Sequence, residues 1–454
     1  MNQSPSQTTH LFTNRQITAM LLPLMAEQLL ITLMGMVNTF MVAHVGSYAI
    51  SAVSLVDSIN ILVIQAFYAL STGGTIVCAQ YLGQKKTGHA IRSAEQTLFI
   101  VTLISLVTAA FCILFDRQIL RLIFGTVDEE VFNSARTYFF YSSLSYPFIA
   151  LYDAGSSIFR AQKNTGFPMA MSLIANIANV IGNIILVLIL GQGVAGAAIS
   201  TLAARSLCAL LVLLRLVKPR ENQPVYVANY TRIRPHMPLI RRILHIGIPA
   251  GIENSMFQFG KLAIQSTVSL MGTAAIAAQG MANLIENLNG ILAIGVGVGL
   301  MTVVGESLGA GRKDEAIYYV KKLSIVSEVV IVISCLVMYI LVYPITKFGG
   351  MEAESARLCI HMVTWITIVK PVAWVFSFIP AYGFRAAGDV KFTMTVSVLS
   401  MWFCRVLLAM ILARGFGMGP MAVWIGMFAD WSVRGIIYAI RLKNKKWLNH
   451  QVIG

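Results

Sequence analysis

Acids and bases recur inside apolar stretches of this chain, where side-chain chemistry is most costly. Glu27, Asp57, Asp153 and Arg205 lie so in the first half. Glu253, Lys261, Glu286, Glu328, Lys370, Arg405 and Asp430 lie so in the second. A charge in hydrocarbon costs several kcal/mol unless paired or hydrated, so each is a candidate for handling an ion or a polar substrate. Glu27 and Glu253 each follow a proline, Pro23 and Pro249, by one helical turn. Proline removes a helix hydrogen bond and frees a carbonyl, so both prolines are hinge candidates. A carboxylate beside a hinge either takes up a proton or Na⁺, or is a structural group hydrogen-bonded within its own bundle. The first reading puts coupling on Glu253, with Glu27 as a lesser counterpart.

Lys261 and Glu286 are expected at similar depth on consecutive antiparallel helices, as an ion pair. Asn283, Glu286, Asn287 and Gly290 share one helical face. Lys370 precedes Pro371, a third hinge candidate. It has no partner nearby in sequence; it either serves the coupling ion or substrate, or pairs with a buried acid on another helix of the second half. Asp430, Arg434 and Arg405 read as a structural cluster. Asn38, Asn60, Gln65, Asn176, Asn179, Asn183, Gln258 and Gln279 either line a wet cavity or join helices by hydrogen bonds. Asp57 lies one turn before Asn60.

Other chemistries find no support. The G-V-G-V-G run at Gly295 to Gly299 lacks the strand and acid of a dinucleotide site, and reads as close helix packing. The histidines show no ligand spacing, and no phosphate-binding Gly-rich motif is present. The six cysteines (Cys78, Cys112, Cys208, Cys335, Cys359 and Cys404) have no C-x-x-C spacing and read as free thiols. The expectation is a protein that is not an enzyme, with no metal or cofactor beyond H⁺ or Na⁺ as coupling ion.

These residues need elements to hold them, and composition says which. Of 454 residues, 57% are apolar and 12% charged, against about 25% charged in soluble proteins. In lipid every backbone group must be paired within its segment, so long apolar runs mean helices. Spans are expected at 17–43, 52–79, 92–115, 137–160, 169–190, 193–215, 243–270, 274–304, 318–345, 358–384, 392–413 and 417–440. The fold class is thus all-α integral membrane, with twelve transmembrane helices in two pseudo-symmetric six-helix bundles. Residues 1–215 form the first bundle, 216–242 a cytoplasmic linker that tolerates cutting, and 243–454 the second bundle. The first run is too long for a signal-peptide core.

The formal charge of +15 sits in short loops, as orientation signals do, and nucleic acid is not an expected partner. Lys85, Lys86, Arg92, Arg160, Lys163, the linker, Arg312, Lys313, Arg385 and Lys391 fall on one side. That side is read as cytoplasmic, with both termini on it. The halves also repeat. Pro23 and Glu27 recur as Pro249 and Glu253, and the same offset pairs Gly46 with Gly272, Gly73 with Gly299 and Gly83 with Gly309. Phe159-Arg160-Ala161 returns as Phe384-Arg385-Ala386. Six spans per half give parallel repeats about an axis normal to the membrane, a design suited to alternating access.

The sequence resembles the multidrug and toxic compound extrusion family along nearly its whole length. The resemblance rests on Pro23, on V-N-T-F-M-V-A-H-V-G ending at Gly46, and on Q-Y-L-G-Q at Gln80 to Gln84. It extends through F-R-A-Q-K-N-T-G at Phe159 to Gly166, G-V-A-G-A-A-I at Gly193 to Ile199 and E-S-L-G-A-G-R at Glu306 to Arg312. The resemblance implies a central cavity and H⁺- or Na⁺-driven export of cationic, often aromatic compounds from a bacterial inner membrane, by a monomer. Two departures stand out. Asn38 and Val187 occupy places where many members carry aspartates, so the N-terminal proton site of that branch is lost. Phe257 holds the place where another branch carries an acid, with Glu253 a turn nearer the proline. The competing reading is a lipid-linked sugar flippase of the same superfamily. Lys261 and Lys370 favour it; twelve spans and the carboxylates oppose it.

Overall fold

A computed structural model describes residues 10–125, 128–220, 223–450 and 452–453. Among them, twelve long helices account for most of the chain. The first bundle holds α1 (Asn14–Ala43), α2 (Ser47–Gly83), α3 (Thr87–Leu114), α4 (Glu129–Ala161), α5 (Gly166–Asn183) and α6 (Gly193–Leu216). The second holds α7 (Met237–Val268), α8 (Thr273–Gly309), α9 (Lys313–Phe348), α10 (Ala353–Ala386), α11 (Val390–Ser400) and α12 (Met421–Lys443). Beyond Asn183, α5 continues as a π-helical stretch, Ile184–Ile189. Beyond Ser400, α11 continues through π-helical Met401–Leu407 and Ile411–Gly415. The wider turns thus recur at matching places in the two halves.

Ten of the long helices are apolar enough to cross a membrane by length and composition. The other two are α4, which carries Asp153 and Arg160, and α7, which carries Arg241, Arg242, Glu253 and Lys261. Both pack among the ten. The chain is an all-α membrane protein of two six-helix bundles.

Packing repeats with the sequence. α2 packs on α4 and α4 on α6; α8 packs on α10 and α10 on α12. Between bundles, α2 meets α7 as α8 meets α1, and α2 also crosses α8. Glycine sets the closeness of that crossing. A Cβ on Gly83 would collide with the Glu306 carbonyl, and one on Gly309 with the Gln80 carbonyl. The G-V-G-V-G run packs closely as well. A Cβ on Gly295 would lie 2.8 Å from Met25 Cα, and one on Gly297 would reach the Tyr382 ring at 2.5 Å.

The bundles join at the end that carries the turns around residues 84–86, 162–165, 310–312 and 387–389. There Gln80 Nε2 donates to the Ala386 carbonyl at 2.7 Å, Thr302 Oγ1 to the Arg160 carbonyl at 3.2 Å and Lys163 Nζ to Glu306 at 3.0 Å. Leu11 N–H donates to Glu315 at 2.8 Å. Toward the opposite end the bundles part. Among the described residues, the cross-bundle hydrogen bond farthest along is Asn254 to Gln65, at 3.5 Å. Beyond it, mid-helix polar groups such as Lys261, Gln265 and Asn287 are exposed.

The connection between bundles differs from a loose tether. Gln223, Val225 and Val227 are buried. Val225 accepts from Gln162 Nε2 at 3.1 Å and donates to Gln162 Oε1 at 2.8 Å. Tyr230 Oη donates to the Leu213 carbonyl at 2.6 Å. α7 starts at Met237, earlier than the expected 243, because His236 caps it and Pro238 sits in its first turn, where a missing N–H costs nothing. The loop after α3 is also structured. It forms a short helix, Asp116–Phe124, tied to α4 by Asp116 and Arg136 at 2.7 Å.

Candidate substrate and coupling site

Two buried carboxylates face arginines of their own bundles, in mirror fashion. Arg160 Nη2 on α4 donates to Glu27 Oε1 on α1 at 2.6 Å. Arg385 Nη2 on α10 donates to Glu253 Oε1 on α7 at 2.7 Å. The second oxygen of each carboxylate is buried without a hydrogen bond. Each arginine also lies over a tyrosine: Arg160 over Tyr68 at 5.9 Å and Arg385 over Tyr382 at 5.5 Å. The surroundings are not identical. Glu27 receives a further, long contact from Tyr152 Oη at 3.4 Å, and buried Asp153 lies on the same helix as Arg160. Phe378 takes the place of Asp153 in the second bundle. Pro23 and Pro249 lie inside α1 and α7, and both helices continue through them.

These pairs bear on the coupling expectation. A carboxylate that already holds a guanidinium is a cation site occupied by its own chain. From sequence, Arg160 and Arg385 stand out as loop-edge charges and as members of a repeat, not as partners of the two glutamates. The signal for their role was present: the two Phe-Arg-Ala copies repeat in step with the two Pro-x-x-x-Glu copies.

The second bundle contains a further buried pair. Lys370 Nζ on α10 donates to Glu286 Oε1 at 2.8 Å and to the Glu286 carbonyl at 2.9 Å. Its side chain is fully buried and caps the Trp374 ring at 5.2 Å. The expected partner of Glu286, Lys261, instead lies over the Phe257 ring at 5.1 Å. The pairing is corrected for a simple reason. α8 packs along α10, and consecutive α7 and α8 touch little. Of the two readings of Lys370, the pair with an acid on another helix is the one this geometry matches, the acid being Glu286. Arg405 shares the Phe257 ring, at 5.2 Å. Asp430 accepts from Arg434 at 2.7 Å and from Ser400 at 2.6 Å, and lies 4.0 Å from Arg405. Asn283 stands half-exposed one turn before Glu286, and Pro371 continues α10 beside Lys370.

The first bundle has a milder interior. Asp57 Oδ1 on α2 accepts from Asn60 Nδ2 at 3.1 Å and from Tyr138 Oη at 3.4 Å, both neutral donors. Asn60 is held by Ser142 at 3.3 Å and by Tyr146 at 2.8 Å. Arg205, the nearby cation, is turned to Ser145 Oγ at 2.7 Å. Across the bundle, Asn183 Nδ2 donates to Asn38 Oδ1 at 2.9 Å and to Asn179 Oδ1 at 3.1 Å, and Asn179 donates to Thr201 at 3.1 Å. Val187 is buried beyond this amide cluster. The places that lack aspartate thus carry a neutral amide network, in which Asn183 Oδ1 is buried without a hydrogen bond. Repeat-related positions differ in a telling way: Asp57 and Asn60 of α2 stand where α8 has Asn283 and Glu286.

Comparison with known proteins fits this duplicated layout. The MatE family model matches residues 23–185 and again 249–411. A probable multidrug resistance protein NorM of Thermotoga maritima is 24% identical over 449 residues, covering 97% of this chain and 94% of its own. An uncharacterized transporter of Bacillus subtilis, YisQ, is 25% identical over 438 residues, 94% of this chain and 93% of its own. The crystal structure of MATE in complex with MaL6 superposes with a TM-score of 0.86 at 19% identity, over 95% of this chain and 97% of that one. Each match of the family model falls within one six-helix bundle, and the chain belongs to the MatE family of transporters.

Proposed function

We propose that this protein is a secondary active multidrug efflux transporter. It exchanges cationic, often aromatic organic compounds for H⁺ or Na⁺ by alternating access. The observation that carries this reading is the pair of repeated bundles joined at one end and parted at the other. Such a pair can hold a compound between its halves and open to either side by rocking. The names of the multidrug-resistance relatives support the substrate class. The basic end is cytoplasmic in this reading, with both termini on that side of a bacterial inner membrane.

The coupling ion needs a carboxylate that no cation of its own chain pairs with directly. Glu27, Glu253 and Glu286 are each held by an arginine or a lysine. Asp57 is held by neutral donors and is partly exposed in the parted half. Of the mid-helix acids without an ion pair among the described residues, Asp57, Asp153 and Glu328, Asp57 is the one with two side-chain donors, and in our proposal coupling moves there from Glu253. Export requires that drug and ion favour different states, since only differential affinity shifts a conformational equilibrium. The test is ethidium efflux from cells or everted vesicles, with an imposed proton or sodium gradient and without one. Efflux that rises with one of the two gradients supports the reading. Efflux indifferent to both gradients overturns it.

A further inference from the structure

A small cavity at the closed end has a makeup that drug transport does not use. It measures 260 Å³ and is lined by Tyr81, Lys86, His89, Arg92, His236 and Arg242, together with Pro238 and Leu239. No acid lines it. Glu95, a turn beyond Arg92 on α3, is not among the lining residues. The larger cavity at this end, of 660 Å³, is different. It includes Glu306, which pairs with its Lys163 at 3.0 Å.

Two helices begin at the smaller cavity. Lys86 caps α3 and His236 caps α7, and neither helix has an acid in its first turn. The free N–H groups and dipole of a helix start favour an anion. Here the α3 start and the basic side chains call for negative charge, and no side chain among the lining residues supplies it; at the α7 start, Leu239 and Ile240 N–H already donate to His236 and Pro238 has no N–H. Arg242 Nη1 donates to Tyr81 Oη at 2.5 Å, so part of the lining is already fixed in place. Lys86, His89, Arg92 and His236 are exposed toward the opening.

We infer that this cavity binds a phosphate-bearing anion, and that its occupant is the headgroup of an anionic lipid. Location favours lipid over a soluble phosphate. Basic pockets at the ends of membrane-spanning helices lie at headgroup depth, and Met237, at the start of α7 beside the cavity, is an apolar side chain 70% exposed. Lys86, His89 and Arg92 belong to the first bundle; His236 and Arg242 belong to the second. A bound headgroup therefore bridges the bundles and favours the arrangement in which this end is closed.

The test uses full-length protein in nanodiscs of phosphatidylcholine, titrated with phosphatidylglycerol and read by thermal unfolding. Wild type should be stabilised in a saturable manner. Lys86→Gln with Arg92→Gln should weaken apparent affinity by about fivefold per cation removed. Lys443→Gln with Lys446→Gln removes equal charge from exposed sites at the same end and should titrate like wild type. Equal losses in both double variants would mean general surface attraction and overturn the pocket. Inorganic phosphate that reproduces the full shift without phosphatidylglycerol would overturn the lipid source. Should the pocket variant not accumulate, His89→Gln is titrated alone, and an unchanged midpoint there also overturns the pocket.

Discussion

Arg160 donates to Glu27 at 2.6 Å, and the repeat of that pair, Arg385 with Glu253, stands at 2.7 Å in the other bundle. Each pair ties the first helix of a bundle to its fourth. Removing one partner leaves the other buried and uncompensated, at a cost of about 3–5 kcal/mol. The first pair is the more buried: side chains of Arg160 and Glu27 are 5% and 0% exposed, against 15% and 9% for Arg385 and Glu253. Glu27→Gln should therefore lower the unfolding temperature in detergent more than Glu253→Gln. Glu27→Gln with Arg160→Met should recover much of the loss. Single variants as stable as wild type would show that water, not the partner, satisfies these charges.

Asp57→Asn tests the coupling assignment. The amide keeps the size of the side chain and one acceptor for Asn60 and Tyr138. Expression and ethidium binding should hold, while gradient-driven efflux falls by at least about tenfold, the scale of a lost coupling term of 1–3 kcal/mol. Wild-type efflux with unchanged ion dependence in this variant would move the site elsewhere. Buried Asp153, whose Oδ2 has no hydrogen bond, is the next acid to examine.

Helix number, bundle order and duplication were legible because they are one-dimensional properties of hydropathy and spacing. The close packing at Gly295, Gly297 and Gly299 was legible too, since small residues in an apolar run mark helix contacts. Partner choice was not. Lys261 and Glu286 fall on consecutive helices, yet those helices are not packed neighbours, and Lys370 reaches Glu286 from α10. Hydropathy also hid the strap at Val225 and Val227, whose burial depends on a surface made by Gln162 and the end of α6.

Charge-removal cycles separate the two pairings of Glu286. Glu286→Gln leaves Lys370 buried beside Trp374, and should cost about 3–5 kcal/mol. Adding Lys370→Met should restore stability, whereas adding Lys261→Met should not. Thermal unfolding of the three variants decides it. Rescue by Lys261→Met alone would return the pair to α7 and α8.

The docked linker makes a prediction about proteolysis. A loose tether would be cut along its length. Here Val225 and Val227 are buried and Val225 is bonded twice to Gln162. Protease added to everted vesicles should cut around Arg232 and Arg234, which are exposed, well before residues 223–227. Gln162→Ala should make 223–227 susceptible, by removing both hydrogen bonds. Equal cleavage across the linker in the unaltered protein would contradict the strap.

The crossing of α2 and α8 offers the most direct handle on alternating access. Gly83 and Gly309 each abut a carbonyl of the opposite bundle, those of Glu306 and Gln80. A side chain at either position meets fixed backbone, which cannot rotate away as a flexible side chain could. In the closed arrangement of this end, Gly83→Val or Gly309→Val therefore carries an overpacking cost of about 1–3 kcal/mol. A state with this end open does not pay that cost, because the carbonyls have separated. The substitution should shift the population toward that state by roughly 5- to 150-fold. Asn287 is exposed in the parted half and reports the shift. In a Cys404→Ser background, Asn287→Cys should react readily with an impermeant maleimide added from outside. Gly83→Val should cut that labelling severalfold while leaving expression intact. Labelling as fast as without the valine would mean that the crossing does not open, and that the bundles do not rock about this contact.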